Sequence, residues 1–183
     1  MRNKKVRFIV DAALIAAIYA ALTMALWEIS SLGIQFRLSE VICVLPAFTP
    51  AAIPGLFIGC ALANLLGGTW IDVVFGSLAT LLAAICSYLI GKVFKVGKED
   101  KLKIGALILV PLPPVLFNAT IIPFVLYYGY GLTSAFNHEG TFVVLCFHAL
   151  TVGLGELAVC YILGIPFMIA VNRLRKQLKF SNE

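Results

Sequence analysis

QFRLSEVICVLPAFTPAAIPGLFIGCALANLLGGTWIDVVFGSLATLL, residues 35–82, decides how the rest of this chain is read. The stretch is apolar enough to sit in lipid, yet it carries Arg37, Glu40, Asn64 and Asp72 and is broken by Pro46, Pro50, Pro54 and the Gly67-Gly68 pair. An ionisable side chain near the bilayer centre costs about 2.5–3.5 kcal/mol even on the lenient insertion scale, so such groups face a protein interior or a wet cavity. We read the stretch as part of a solute-binding wall inside a membrane protein.

Composition supports the class. Of 183 residues, 61% are hydrophobic and 13% charged, and the mean hydropathy is +1.00, leaving too little polar surface to enclose a soluble core. The expected fold is all-α, a single integral membrane domain with six transmembrane helices at about 8–29, 37–49, 50–66, 71–94, 104–128 and 141–171. Helices of 37–49 and 50–66 are short for a bilayer, and one kinked span over both would leave five in total. Charge placement chooses six. Basic residues cluster in the N-terminal tail (Arg2, Lys4, Lys5, Arg7), after the fourth span (Lys92, Lys95, Lys98, Lys101, Lys103) and at the C-terminal end (Arg173, Arg175, Lys176, Lys179). Only six spans put all three clusters, and so both termini, on the cytoplasmic side, as the positive-inside bias requires. The same placement explains the net charge of +5 without nucleic acid. The N-terminal apolar run is of spanning length and is read as a retained span rather than a signal peptide.

Span 1 is rich in alanine. Ala12, Ala16 and Ala20 make one small-residue stripe with Ala13, Ala17 and Ala21 beside it, which permits close helix approach, either within this chain or against a separate membrane subunit. The five cysteines lie in apolar runs without CxxC spacing and read as buried free thiols. Pro111, Pro113, Pro114 and Pro123 predict a kinked or partly unwound fifth span whose freed carbonyls are satisfied inside the protein.

Several polar residues carry two readings each. Arg37 and Glu40 share a helix face and form either a salt bridge or a ligand contact. Asp72 either stabilises a positive helix end or binds ligand; Asn118 either repairs the broken backbone of span 5 or binds a ligand edge. Trp70 is a membrane-belt residue or an aromatic cover, and the loop of residues 127–140, with Tyr127, Tyr128 and Tyr130, is a belt and linker or a lid. Glu156 lies about fifteen residues into span 6, near mid-membrane, and is the foremost candidate; His148, two turns outward, is a core histidine or its partner. No Walker sequence, HExxH or nucleophile elbow is present, no metal or cofactor is expected, and an enzyme is disfavoured. A transporter of this size either runs on a gradient or borrows a motor.

The runs FRLSE, LPAFTPAAIPGLFIGCALANLLGG and DVVFGSLATLLAA resemble the membrane-embedded substrate-binding (S) components of energy-coupling factor (ECF) transporters, in the queuosine-precursor branch. The resemblance implies a bacterial cell-membrane importer. In it the binding subunit captures a 7-deazaguanine-type base such as preQ1 or queuine outside the cell. It then docks, through alanines of span 1 (Ala12, Ala13, Ala16, Ala17, Ala20), on a transmembrane coupling subunit driven by two ATPase subunits. The donor edge of such a base suits a carboxylate and its faces suit aromatic rings. Glu156, Asp72 or Glu40 would then take the donor edge, Asn118 the carbonyl, and Trp70 or Tyr128 the ring, with Arg37, Asn64 and His148 completing the wall. The alternatives are an S component for another vitamin and a standalone proton-coupled carrier with Glu156 and His148 as relay.

Overall fold

The computed structural model describes residues 4–26, 37–99, 101–131 and 140–178. Among them the chain is helical throughout, in six helices: α1 (Lys4–Ala25), α2 (Leu38–Ala47), α3 (Ala52–Gly67), α4 (Asp72–Val93), α5 (Ile104–Gly129) and α6 (Thr141–Leu174). Four of these, α1, α4, α5 and α6, are long and apolar enough to cross a membrane, whereas α2 and α3 are shorter apolar helices. The chain is a multi-pass helical membrane protein.

The expected element order holds, with instructive differences at the boundaries. Helix α1 begins at Lys4, so Lys4, Lys5 and Arg7 stand in its first two turns rather than in a preceding tail, and Arg7 lies 4.0 Å from Asp11 one turn on. Residues 27–29, expected to end the first span, lie outside those described. Helix α2 is a 3-10 helix with Pro46 near its end. At about 2 Å rise per residue, against about 1.5 Å in an α-helix, this winding carries ten residues roughly 20 Å, further than the same residues would run as an α-helix.

Small residues set the packing. A Cβ added at Gly55 would stand 2.8 Å from the Ala12 carbonyl oxygen, and one at Gly59 would stand 2.7 Å from that of Ala16, so α1 and α3 touch backbone to backbone. Gly91 of α4 is equally close to Ala47 of α2, with its absent Cβ only 2.5 Å from the Ala47 Cα. The main apolar core gathers around α2, where Cys43, Val44, Leu45 and Phe48 pack with Tyr19, Leu56, Cys60, Ala84 and Met168.

The prolines of α5 act as expected. The helix is interrupted between Leu109 and Leu112, with Pro113 and Pro114 opening the second segment. Pro114 has no N–H to give the carbonyl four residues back, that of Val110, and the Ser87 hydroxyl of α4 donates to it instead at 2.9 Å. The Tyr161 hydroxyl of α6 likewise donates to the Ile108 carbonyl at 2.8 Å. Broken helix in an apolar setting is thereby satisfied from neighbouring helices.

Candidate functional site

Most of the expected polar residues converge on one buried region. Glu156 lies on α6 where its regular helix gives way to a π-helical stretch, Ala158–Leu163. Its Oε1 accepts a hydrogen bond from Asn118 Nδ2 of α5 at 2.9 Å, and its Oε2 faces the Cys160 thiol at 3.7 Å. Gly153, one turn away, faces Ala119 beside that pair, where a Cβ would make an ordinary contact with the Ala119 methyl at 3.4 Å. Asn118 is thus spent on a carboxyl rather than on the broken backbone of its own helix.

Glu40 of α2 is reached from α1. The Tyr19 hydroxyl donates to its Oε1 at 2.5 Å and the Cys43 thiol to its Oε2 at 2.9 Å. Glu40 and Glu156 are fully buried, and Glu156 lies within electrostatic reach of both Glu40 and Arg37. Of the two readings of Arg37 and Glu40, the salt bridge is not formed. Arg37 instead directs Nη2 to Asn64 Oδ1 of α3 at 2.5 Å, and offsets the surrounding acids, Glu40 and Asp72 among them, without pairing with either. Asn64 passes the chain on, donating Nδ2 to the Asp72 carbonyl at 3.0 Å; Gly76 leaves room for it, because a Cβ there would be 2.8 Å from that nitrogen. A buried carboxyl without donors would be costly, and each of these has them.

Asp72 stands at the start of α4 in a π-helical turn, Asp72–Gly76, facing a second π-helical turn at the end of α5, Val125–Gly129. The Tyr130 hydroxyl donates to Asp72 Oδ2 at 2.5 Å, clasping the ends of the two helices. Partial burial and the Asp72 carboxylate push the Tyr130 phenol up to about 12, so it is a neutral donor at ordinary pH.

Three expected residues fall elsewhere. Trp70 is 76% exposed and Tyr128 67% exposed, both turned out of the bundle. The reason is helical phase: Trp70 lies two residues before the buried Asp72, and Tyr128 two residues before Tyr130, whose hydroxyl reaches Asp72, and two residues are about half a turn. Neither ring covers the buried region. His148 is buried, with its ring 5.9 Å from that of Phe147, but it lies two turns along α6 from Glu156. Residues 132–139 of the connecting loop lie outside those described.

Span 1 divides its alanines. Ala12 and Ala16 are consumed by packing on Gly55 and Gly59, and Ala20 is half-buried. Ala13, Ala17 and Ala21 are exposed on the bundle surface, so of the stripes expected to receive a partner only the outer one is available. Of the five free cysteines, Cys43, Cys60 and Cys160 are buried beside the polar residues, whereas Cys86 is half-buried and Cys146 exposed, against the expectation that all five are buried. Tyr19, Cys43 and Cys160 join these polar residues through hydrogen bonds to Glu40 and Glu156, and Tyr130, named above only for its loop, joins them through Asp72. Tyr19 was the detectable one, a lone phenol in an alanine-rich helix. An apolar groove of about 460 Å³ between α1, α2 and α6, lined by Ile18, Leu22, Val41, Leu45 and Phe167, offers no polar recognition.

Fold and site together define a polytopic helical membrane protein built around a buried, acid-rich polar centre, with no group of three or more His, Cys, Asp or Glu among the described residues placed to hold a metal ion. The family model described as QueT transporter matches residues 9–173, and the chain belongs to the QueT transporter family, a family of transporters and not of enzymes. Over 83 residues it is 42% identical to the Queuosine precursor transporter QueT of Lactococcus lactis subsp. cremoris (strain MG1363), an alignment covering 44% of this chain and 49% of that relative. The match therefore spans about half the length of the curated relative. No solved structure gives a significant match.

Proposed function

We propose that this chain is the membrane-embedded binding subunit of an ECF-type importer, taking a queuosine precursor of the 7-deazaguanine class, such as preQ1 or queuine, from outside a bacterial cell. In this reading it crosses the cell membrane six times with both termini inside, α2 and α3 contributing two short spans. It binds with high affinity and delivers its ligand by docking on a coupling subunit driven by two ATPase subunits. The name of the Lactococcus relative and the family membership support the substrate class.

The observation that carries the reading is the Glu156 carboxyl, buried against Asn118 and Cys160 and within electrostatic reach of Glu40 and Arg37. A guanine-like edge offers two parallel donors, a ring N–H and an exocyclic amine, and a carboxylate accepts both. On binding, that edge takes the place of the weak thiol donor at Oε2, leaving the Asn118 amide to turn toward the ligand carbonyl. The surplus of carboxyls over Arg37 also suits a precursor bearing an aminomethyl cation.

Calorimetry of the purified full chain against preQ1, queuine, guanine, and unrelated vitamins tests the proposal. Tight binding of a deazapurine and none of the vitamins is expected, and a vitamin bound in their place would reassign the substrate. Uptake that needs the ATPase subunits supports the importer assembly; uptake that follows a proton gradient without them replaces it with a standalone carrier.

A further inference from the structure

The end of α4 and its connection to α5 carry five lysines in twelve residues, Lys92 to Lys103, and all five are exposed. From Gly91 to Gly97 its backbone is firmly built. Val96 is buried in the main core and donates its N–H to the Gly91 carbonyl at 2.9 Å, and the absent Cβ of Gly97 would be 3.4 Å from the Phe48 ring. Lys95 is held at φ 55°, in the left-handed region that a residue with a Cβ rarely adopts. Such a position persists only where the surroundings over-determine it.

Two of the lysines are engaged locally. Lys92 Nζ lies 4.6 Å from the centroid of the Tyr88 ring, and Lys103 pairs with Glu99 at 3.3 Å. Lys95, Lys98 and Lys101 make no ion pair among the described residues. At either end of the connection stands an aliphatic side chain that is 76% exposed, Val93 closing α4 and Ile104 opening α5. Side chains of that kind at helix ends belong in the acyl region of a bilayer, which puts the lysines between them at the level of the lipid headgroups.

We infer that the α4–α5 connection is a docking surface for anionic phospholipid headgroups, with Lys95, Lys98 and Lys101 as the phosphate-facing cations and Val93 and Ile104 as the apolar contacts that hold them at the interface. Each lysine near an anionic bilayer surface gains on the order of 1 kcal/mol, which is about fivefold, and a preformed loop loses little freedom on binding. The apolar pair favours lipid over the acidic face of a soluble protein, which would leave Val93 and Ile104 uncovered. This inference is independent of the ligand assigned to the buried site.

The test uses the full chain in nanodiscs of phosphatidylcholine containing about one third phosphatidylglycerol, with the lipids retained on the protein counted by native mass spectrometry. The parent should enrich phosphatidylglycerol over the input. The triple variant K95Q/K98Q/K101Q should lose most of that enrichment, bringing the retained phosphatidylglycerol back toward its share of the input, while K95R/K98R/K101R, which keeps the charge, should retain it. Inorganic phosphate should displace the lipid no better than chloride at matched ionic strength. The inference is overturned if the parent shows no enrichment, if the glutamine variant keeps it, or if free phosphate competes specifically. Melting of the glutamine variant in phosphatidylcholine alone should match the parent, so that lost enrichment is read as lost headgroup contact.

Discussion

Two helix seams of this bundle are closed by opposite means. Between α1 and α3 the seam is dry and made of absent atoms: Gly55 and Gly59 receive Ala12 and Ala16 so closely that no Cβ fits. Between α5 and α6 it is polar, with Asn118 on Glu156, Tyr161 on the Ile108 carbonyl, and only an ordinary contact where Gly153 meets Ala119. Close packing in lipid has no hydrophobic drive behind it and depends on backbone proximity, so the first seam is rigid by construction. The second is held by hydrogen bonds that a ligand with the right edges can take over. The lesson is that one seam of the molecule is a close-packed frame and the other is held by hydrogen bonds that can be exchanged.

The strongest way to break that contrast is volume in the dry seam. Gly59→Val places methyl groups where the Ala16 carbonyl already stands and should destabilise the ligand-free protein by about 1–3 kcal/mol or more, seen as a large fall in melting temperature. An unchanged melt would show that the seam has slack. Gly153→Ala, on the polar seam, should be mild by the same measurement.

Next in size is Glu156→Gln. Asn118 can still donate to the amide oxygen, and the new amide nitrogen faces the Cys160 sulfur, so the empty protein should melt near the parent. A ligand presenting two donors loses one acceptor and meets a donor instead, costing about 1–3 kcal/mol, or roughly ten- to hundredfold in affinity. Unchanged affinity would move recognition to Glu40, and a collapsed melt would make Glu156 structural.

A smaller effect is expected where Tyr130 joins the start of α4 to the end of α5. Tyr130→Phe removes the clasp on Asp72, a partly exposed bond, and should weaken ligand binding about two- to fivefold. The pH dependence of the clasp sharpens this. Tyr130 is raised in the folded state to about 12, so whatever the clasp contributes is fully present below the ordinary phenol value near 10 and is lost as pH rises toward about 12. Binding measured between about pH 6 and 9 should therefore show no step traceable to Tyr130, and a step absent from the phenylalanine variant would contradict the assignment.

The smallest change in the isolated protein is expected on the outer face of α1. Ala17→Leu adds volume at an exposed position and should alter stability by no more than about 0.5 kcal/mol and leave ligand affinity intact. Uptake in cells should nevertheless fail if that face meets a coupling subunit. Normal uptake would remove Ala13 and Ala17 from the interface.

By itself the sequence determined the class, the number and order of helices, the broken α5 and the small-residue character of α1, because hydropathy, proline and glycine act locally and can be read residue by residue. It also singled out polar residues that the structure buries, Arg37, Glu40, Asn64, Asp72, Asn118 and Glu156, since an ionisable group in an apolar run has few places to go. Only the tertiary structure decided their partners. Arg37 turned to Asn64 rather than to Glu40 three residues away, because 3-10 winding of α2 and the arrival of α3 set the directions of those side chains. It likewise decided which alanines are spent, Ala12 and Ala16 rather than Ala13 and Ala17, since a helix with alanines on adjacent stripes states no preference until a neighbour's glycines select one face. The fate of the aromatic rings followed in the same way: a half-turn of helical phase sent Trp70 and Tyr128 outward and brought Tyr130 to Asp72. That phase was fixed by packing between helices distant in sequence, which no local pattern records.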